Sequence, residues 1–275
     1  MTAPRGAAGG GGAPAGLAAL RPKTFSRRQK VVVTVVNLAL FCALWEAFAR
    51  FSGVPTLLVP PFSGVVRELP AVHDEGVLWG NLWISMRLYL TGMAISIVLA
   101  VPAGLFIGGV RLLDRVVGPY VWAIYTLPRL ILMPLVLLWV GINDTARVVL
   151  IVLSAVPAIM VVVMEGVKTI DGALLRAARS FGAGRAQMLR HVALPATVPF
   201  VATGVRMGVS RGLIGLFIGE LFTAANGIGY VMVLASREFD SARVYLMLFL
   251  FVGFSVAIVG LTQWLEKRAS VWRSA

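Results

Sequence analysis

Side chains that do chemistry are scarce in this chain. It holds one cysteine, two histidines and twelve acidic residues among 275 positions. A single cysteine excludes an internal disulfide and a thiolate metal cluster. Cys42 lies inside an apolar run, and Ala39-Leu40-Phe41 before it lacks the small residues that precede a lipidated cysteine. His73 and His191 are far apart and fall in segments assigned below to opposite aqueous sides, so no metal or catalytic pair is expected. Within the apolar runs the only acids are Glu46 and Glu220 and there is no histidine. A membrane-embedded enzyme would need clustered acids, histidines or a nucleophile near one face. No phosphate loop of the form G-x-x-x-x-G-K-S or G-x-x-x-x-G-K-T occurs, so ATP chemistry must come from elsewhere.

Charge is sparse as well. Only 13% of residues are charged while 59% are hydrophobic, and the mean hydropathy is +0.88. Soluble domains carry roughly a quarter charged residues, so a soluble globule is excluded. The apolar runs are continuous rather than alternating, which implies membrane-spanning helices and not a barrel. The net charge of +13 does not point to nucleic acid, because the basic residues are spread over the segments between apolar runs. Basic loops on the cytoplasmic side of a membrane explain them better.

Six spans are read. Residues 1–30, with GAAGGGGAPAG followed by Arg21, Lys23, Arg27, Arg28 and Lys30, form an expected disordered basic tail. Ala47-Phe48-Ala49 resembles a signal-peptide cleavage site, but the polar leader before it is too long for one. Span 1 covers about Val31 to Ala49. A short interfacial helix is expected over Phe62 to Val72, and Trp79 and Trp83 mark the membrane interface. Span 2 (about Leu82 to Val110) carries Gly92, Ser96, Ala100, Gly104 and Gly108 every four residues, a smooth stripe for close helix packing. Arg111 and Arg115 are read as a short loop. Span 3 (about Gly118 to Val140) is interrupted by Pro128-Arg129 and Pro134, and span 4 runs from about Arg147 to Met164. Span 5 (about Thr197 to Thr223) has Gly204, Gly208, Gly212, Gly215 and Gly219, together with Arg206, Arg211 and Glu220. An outer segment follows, with a Gly227-Ile228-Gly229 turn and a partly embedded helix. Span 6 covers about Ala242 to Leu265, and 266–275 is a second tail. The six-helix domain is thus 31–265.

Six spans put both termini on one side. The leader, Arg111, Arg115, the segment 165–195 and the C-terminal tail hold sixteen basic residues on that side, against Arg50, Arg67, Arg147, Arg237 and Arg243, five, on the other. The positive-inside rule makes the first side the cytoplasm.

The segment 165–195, EGVKTIDGALLRAARSFGAGRAQMLRHVALP, is the polar island of the chain. Leu174, Leu175, Ala178 and Phe181 fall at helical spacing with Arg176 and Arg179 between them. Gly182 and Gly184 break that helix, Ala186 to Val192 can form a second, and Pro195 is read as its stop. A charged loop joining two spans is one reading; an amphipathic helix shaped for a partner's groove is the other.

The spacing decides for the second. Ala177, Ala178, Gly182, Val192, Leu194 and Pro195 resemble, with the spacing agreeing at every position, the coupling signature of ABC-importer permeases, EAA, three residues, G, nine residues, I, one residue, LP; Arg176 replaces its glutamate. Residues 85–265 resemble the nitrate, sulfonate and taurine subgroup through Ser85, Arg87 and Gly92, through Leu127-Pro128-Arg129 and Pro134-Leu135, and through Leu138-Trp139-Val140-Gly141-Ile142. Gly204, Arg206, Glu220 and Gly227-Ile228-Gly229-Tyr230 extend the likeness. The resemblance implies an all-α polytopic inner-membrane protein with the type I permease fold. It also implies two cytoplasmic ATPase subunits, an extracytoplasmic binding protein, a second permease copy (a homodimer), no cofactor and alternating access. It places Arg176, Ala177, Ala178, Phe181, Gly182, Val192, Leu194 and Pro195 in the ATPase-coupling loop.

Candidate residues for the translocation path or its gate are Pro128, Arg129 and Glu220. Arg129 follows a helix-breaking proline inside a span, where a charge is costly and usually lines a water-filled path. A guanidinium suits an anion such as a sulfonate or nitrate. The rival for Arg129 is a structural ion pair with Glu220 or Glu46, or snorkelling. Four membrane-region arginines (Arg87, Arg129, Arg206, Arg211) favour a small anion as substrate, with a thiamine precursor or other vitamin-like compound as the alternative. An ion-coupled secondary transporter is the rival class, but no internal repeat of charged, broken helices is visible.

Overall fold

A computed structural model describes residues 26–223 and 226–270, and every regular element among them is helical. Helix α1 (Arg27–Phe51) begins in a capping box: the Ser26 hydroxyl accepts from the Gln29 amide, and the Gln29 side chain accepts from the Ser26 amide. The helix therefore starts four residues ahead of the expected boundary. The rest of the expected N-terminal tail and the last five residues of the C-terminal tail lie outside the described residues.

Helix α2 (Phe62–Asp74) is the expected interfacial helix, and α3 (Val77–Gly109) is span 2. Next come α4 (Arg111–Thr126) and α5 (Arg129–Val140). Arg111 and Arg115 are not a loop, as the sequence reading had them. They occupy the first turns of α4, and Val110 alone, in extended geometry, separates α3 from α4. Span 3 is correspondingly a bent pair, with α4 and α5 meeting at 97°. The proline ring at position 128 disfavours helical geometry at the residue before it, and Leu127 is extended at φ −61, ψ 131.

Helix α6 (Asp144–Lys168) leads to the short helices α7 (Gly172–Ser180) and α8 (Arg185–Met188), then through a π-helical turn (Leu189–Ala193) into α9 (Leu194–Thr223). Pro195 is not a stop. It stands in the first turn of α9, and the wider turn lies just upstream, where the missing proline N–H and the ring clash bar the ordinary bond to the His191 carbonyl. Helices α10 (Ile228–Arg237) and α11 (Ser241–Ser270) complete the chain. By length and composition α1, α3, α6, α9 with its preceding π-helical residues, and α11 can each cross a membrane. The α4–α5 pair counts as the sixth span if taken as one.

The core is built around α6, which lies between α3 and α9. Leu88, Tyr89 and Met93 of α3, Ile151, Ala155, Ile159 and Val163 of α6, and Val209, Leu213 and Leu216 of α9 are buried together. Both glycine stripes face α6. A Cβ on Gly92 would stand 2.7 Å from Ile151, one on Gly108 2.7 Å from the Met164 carbonyl, and one on Gly215 2.6 Å from the Leu150 carbonyl. Between lipid-solvated helices it is such close backbone approach, rather than a hydrophobic driving force, that holds the bundle. Helix α1 lies outside this core, with apolar side chains such as Val32, Leu38 and Leu44 exposed for lipid. It is fastened by Trp45, whose indole N–H donates to the Pro60 carbonyl at 3.0 Å, and by Glu46, which accepts from the Ser63 amide at 2.9 Å.

Candidate functional site

The segment between α6 and α9 is the first candidate. Asp171 caps α7 by accepting from the Ala173 amide at 2.8 Å. At its other end Phe181 and Gly182 donate backward to the Ala177 and Arg179 carbonyls, and Gly182 takes φ +79. That left-handed residue ends the helix as a glycine should. What the helix presents is unusual for an isolated chain. Leu174 is half exposed and Phe181 is 91% exposed, and Arg176 and Ala177 are exposed beside them. Ala178 and Val192 are half-buried, Leu194 and Pro195 exposed. The helix packs against α8 and the π-helical turn. Fixed anchors flank it. Lys168 Nζ lies 2.6 Å from Asp114 Oδ1 of α4 and 3.0 Å from Glu165 Oε1. Gly166 meets Phe200 so closely that a Cβ at position 166 would overlap the ring.

The second candidate is at the far end of α9. Helix α10 starts at a turn whose amides point into the bundle, and each finds a side chain from another helix. Gly227 N donates to Asn81 Oδ1 at 2.7 Å and Ile228 N to Ser85 Oγ at 3.1 Å, both acceptors lying on α3. Gly229 N donates to Glu220 Oε2 at 2.8 Å, and the Ser85 hydroxyl donates to the other Glu220 oxygen. The first amides of any helix lack partners within it. Here they are satisfied from outside, with a carboxylate at the positive end of the helix dipole. Gly227 (φ +100) and Gly229 leave the space that the carboxylate fills. Arg147 completes the arrangement, its Nη1 donating to the Asn226 carbonyl at 2.9 Å and to Asn226 Oδ1 at 2.6 Å.

Glu220 and Arg147 are both fully buried. The sequence reading counted Arg147 among the outer charges; it is instead a buried strut of α6, 3.4 Å from Asp144 Oδ1 and so also linked to Arg87, which stands 3.0 Å from the same carboxylate. No signal in the sequence marked it, because Asn226 is 79 residues away.

Pro128 and Arg129 sit at the α4–α5 bend. Arg129 is partly buried and pairs with neither Glu220 nor Glu46; the latter lies 2.6 Å from Arg50. Arg129 Nη1 donates to the Leu127 carbonyl at 3.1 Å, and its guanidinium stands over the Tyr125 ring. Among the described residues no group of three or more metal-ligating side chains could hold an ion.

The fold and these sites define a class: a polytopic helical membrane protein with a bundle packed on one central helix and a basic, apolar-tipped segment exposed between two spans. Residues 96–271 match the family model for the binding-protein-dependent transport system inner membrane component. That match covers more than half of the chain, so the chain belongs to this family of ABC-transporter permeases and is a multi-pass inner-membrane protein. It is 29% identical over 240 residues to the taurine transport system permease protein TauC of Escherichia coli (strain K12), covering 82% of this chain and 87% of TauC. It is 31% identical over 214 residues to the putative aliphatic sulfonates transport permease protein SsuC of the same organism, covering 77% of this chain and 81% of SsuC. In three dimensions it resembles an inward-facing MetNI methionine ABC transporter with a TM-score of 0.62. That match has 21% identity and covers 70% of this chain and 96% of the other.

Proposed function

We propose that this chain forms the translocation path of an ATP-driven importer for a small anion of the sulfonate, taurine or nitrate type. An extracytoplasmic binding protein delivers the anion, and two copies of a separate cytoplasmic ATPase drive the cycle. Two copies of the chain pair as a homodimer, with both termini in the cytoplasm. The segment 165–195 is the coupling loop, in which Arg176, Ala177, Ala178, Phe181 and Gly182 enter the ATPase groove while Val192, Leu194 and Pro195 carry its motion into α9. Pro128 and Arg129 line the path, and Glu220 holds its outer gate through α10.

The observation that carries this reading is the exposure of α7. An amphipathic helix with Phe181 91% exposed and a matched signature spacing is what helix-in-groove recognition needs. The similarity to the taurine permease TauC and the aliphatic sulfonates permease SsuC supports the anion class. Co-purification with the ATPase, followed by uptake assays on liposomes holding the whole complex, tests it. Scrambling 177–182 is expected to abolish both while membrane insertion persists. Uptake that survives the scramble and ignores ATP depletion would make an ion-coupled secondary transporter the better reading. A vitamin-like solute imported in place of every anion would keep the importer and replace its substrate.

A further inference from the structure

The structure sorts the membrane-region arginines by partner. Arg87 Nη2 is 3.0 Å from Asp144 Oδ2, and Arg206 Nε is 3.0 Å from Glu266 Oε2. Arg129 and Arg211 have no carboxylate within 4.0 Å among the described residues. These two instead share one ring. The guanidinium carbon of Arg129 is 5.7 Å from the Tyr125 centroid, and that of Arg211 is 5.8 Å from it. Arg129 Nη2 is buried and has no hydrogen-bond partner.

Their position makes this arrangement costly without a ligand. Arg211 is the eighteenth residue of the 30-residue helix α9. At 1.5 Å per residue it lies roughly 26 Å from one end and about 18 Å from the other, well inside a hydrocarbon core about 30 Å thick. Arg129 opens α5, beside the 97° bend that leaves backbone groups outside regular helix. Two like charges around one ring repel each other, and cation–π attraction offsets only part of that. An anion between them would remove the repulsion and occupy the free donors.

We infer that Tyr125, Arg129 and Arg211 form an anion site in the translocation path, built for a small oxyanion of the sulfonate kind. Each guanidinium offers a planar fork that matches two oxygens of such a group, and the Tyr125 hydroxyl offers a further donor. This rests on the importer reading above and adds the residues that would hold the substrate's charge during passage.

The test uses the permease with its ATPase and binding protein in liposomes. Uptake of ethanesulfonate, nitrate, and a panel of neutral and cationic solutes is measured per assembled complex, with assembly read by gel filtration. Wild type is expected to import an anion when ATP is present. R129Q and R211Q are each expected to cut that uptake about tenfold or more, as loss of a charged hydrogen-bond donor does. R129K and R211K, which keep the charge but lose the fork, should fall between. Anion uptake unchanged in the glutamine variants overturns the site and leaves the importer reading standing. So does a wild type that imports a neutral or cationic solute and no anion. A wild type that imports nothing with ATP overturns the importer reading itself, and the site falls with it. If a glutamine variant does not assemble, the lysine variant decides: a severalfold loss supports the site, and unchanged uptake overturns it.

Discussion

The two ends of α9 meet the rest of the chain in opposite ways. At one end α7 leaves Phe181 almost wholly exposed and Leu174 half exposed. At the other the amides of the 227–229 turn are each taken by a side chain of another helix, and the charges involved are fully buried. The second surface is complete within one chain, so its residues should govern stability. The first is incomplete alone, so its residues should govern assembly and leave stability untouched.

The sharpest way to break this contrast is E220A. It would leave the Ser85 hydroxyl and the Gly229 amide without acceptors in a buried site. Each such orphan costs about 1–3 kcal/mol, so the loss for the two should be roughly 2–6 kcal/mol. A large drop in thermal stability in detergent is expected, with E220Q intermediate because it keeps one acceptor oxygen. F181D makes the opposite prediction. Its side chain touches little, so stability should stay within the ~0.5 kcal/mol typical of surface changes, while co-purification of the ATPase falls about tenfold or more. A variant at position 181 that melts early, or one at position 220 that unbinds the ATPase with no loss of stability, would erase the distinction.

G182A probes the first surface more finely. At φ +79 an alanine pays about 1 kcal/mol or more of backbone strain. Because the strain is confined to the exposed turn, it should weaken ATPase affinity roughly fivefold and leave the core's hydrogen-exchange protection unchanged.

Much of this contrast was readable in the chain itself, and for a physical reason. Apolar runs, four-residue glycine stripes and the coupling-loop spacing are one-dimensional patterns, and α3, α6 and α9 carry them openly. Arg147 carries no pattern. Its acceptors on Asn226 come into reach only when α6 packs on α9 and the turn folds back. The sharing of Tyr125 by Arg129 and Arg211 is hidden in the same way, since the two arginines lie on different helices. The first turns of α4 were misread because Arg111 and Arg115 look like loop charges, whereas with Asp114 they form the polar face of an amphipathic helix that starts directly after α3. Pro195 was misread because a proline that ends a helix and one that sits in its first turn are the same letter; only the π-helical turn upstream tells them apart.

The smallest expected effect lies between the two surfaces. Lys168, at the end of α6 within the proposed coupling segment, touches Asp114 of α4, the first arm of the bent pair. Both side chains are about one-third exposed, so the pair contributes about 0.2–1 kcal/mol and K168Q should barely move Tm. If the pair passes motion from α7 to the bend, K168Q should instead raise the ATP hydrolysed per solute imported by about twofold, a ratio that stability alone does not change. The swap D114K with K168D should restore only part of that coupling. Glu165 lies 3.0 Å from the native lysine, and an aspartate at 168 would face it with like charge. Full restoration would mean that Glu165 is not part of the link, and an unchanged ratio in K168Q would mean that the motion reaches the bend by another route, such as the close contact of Gly166 with Phe200.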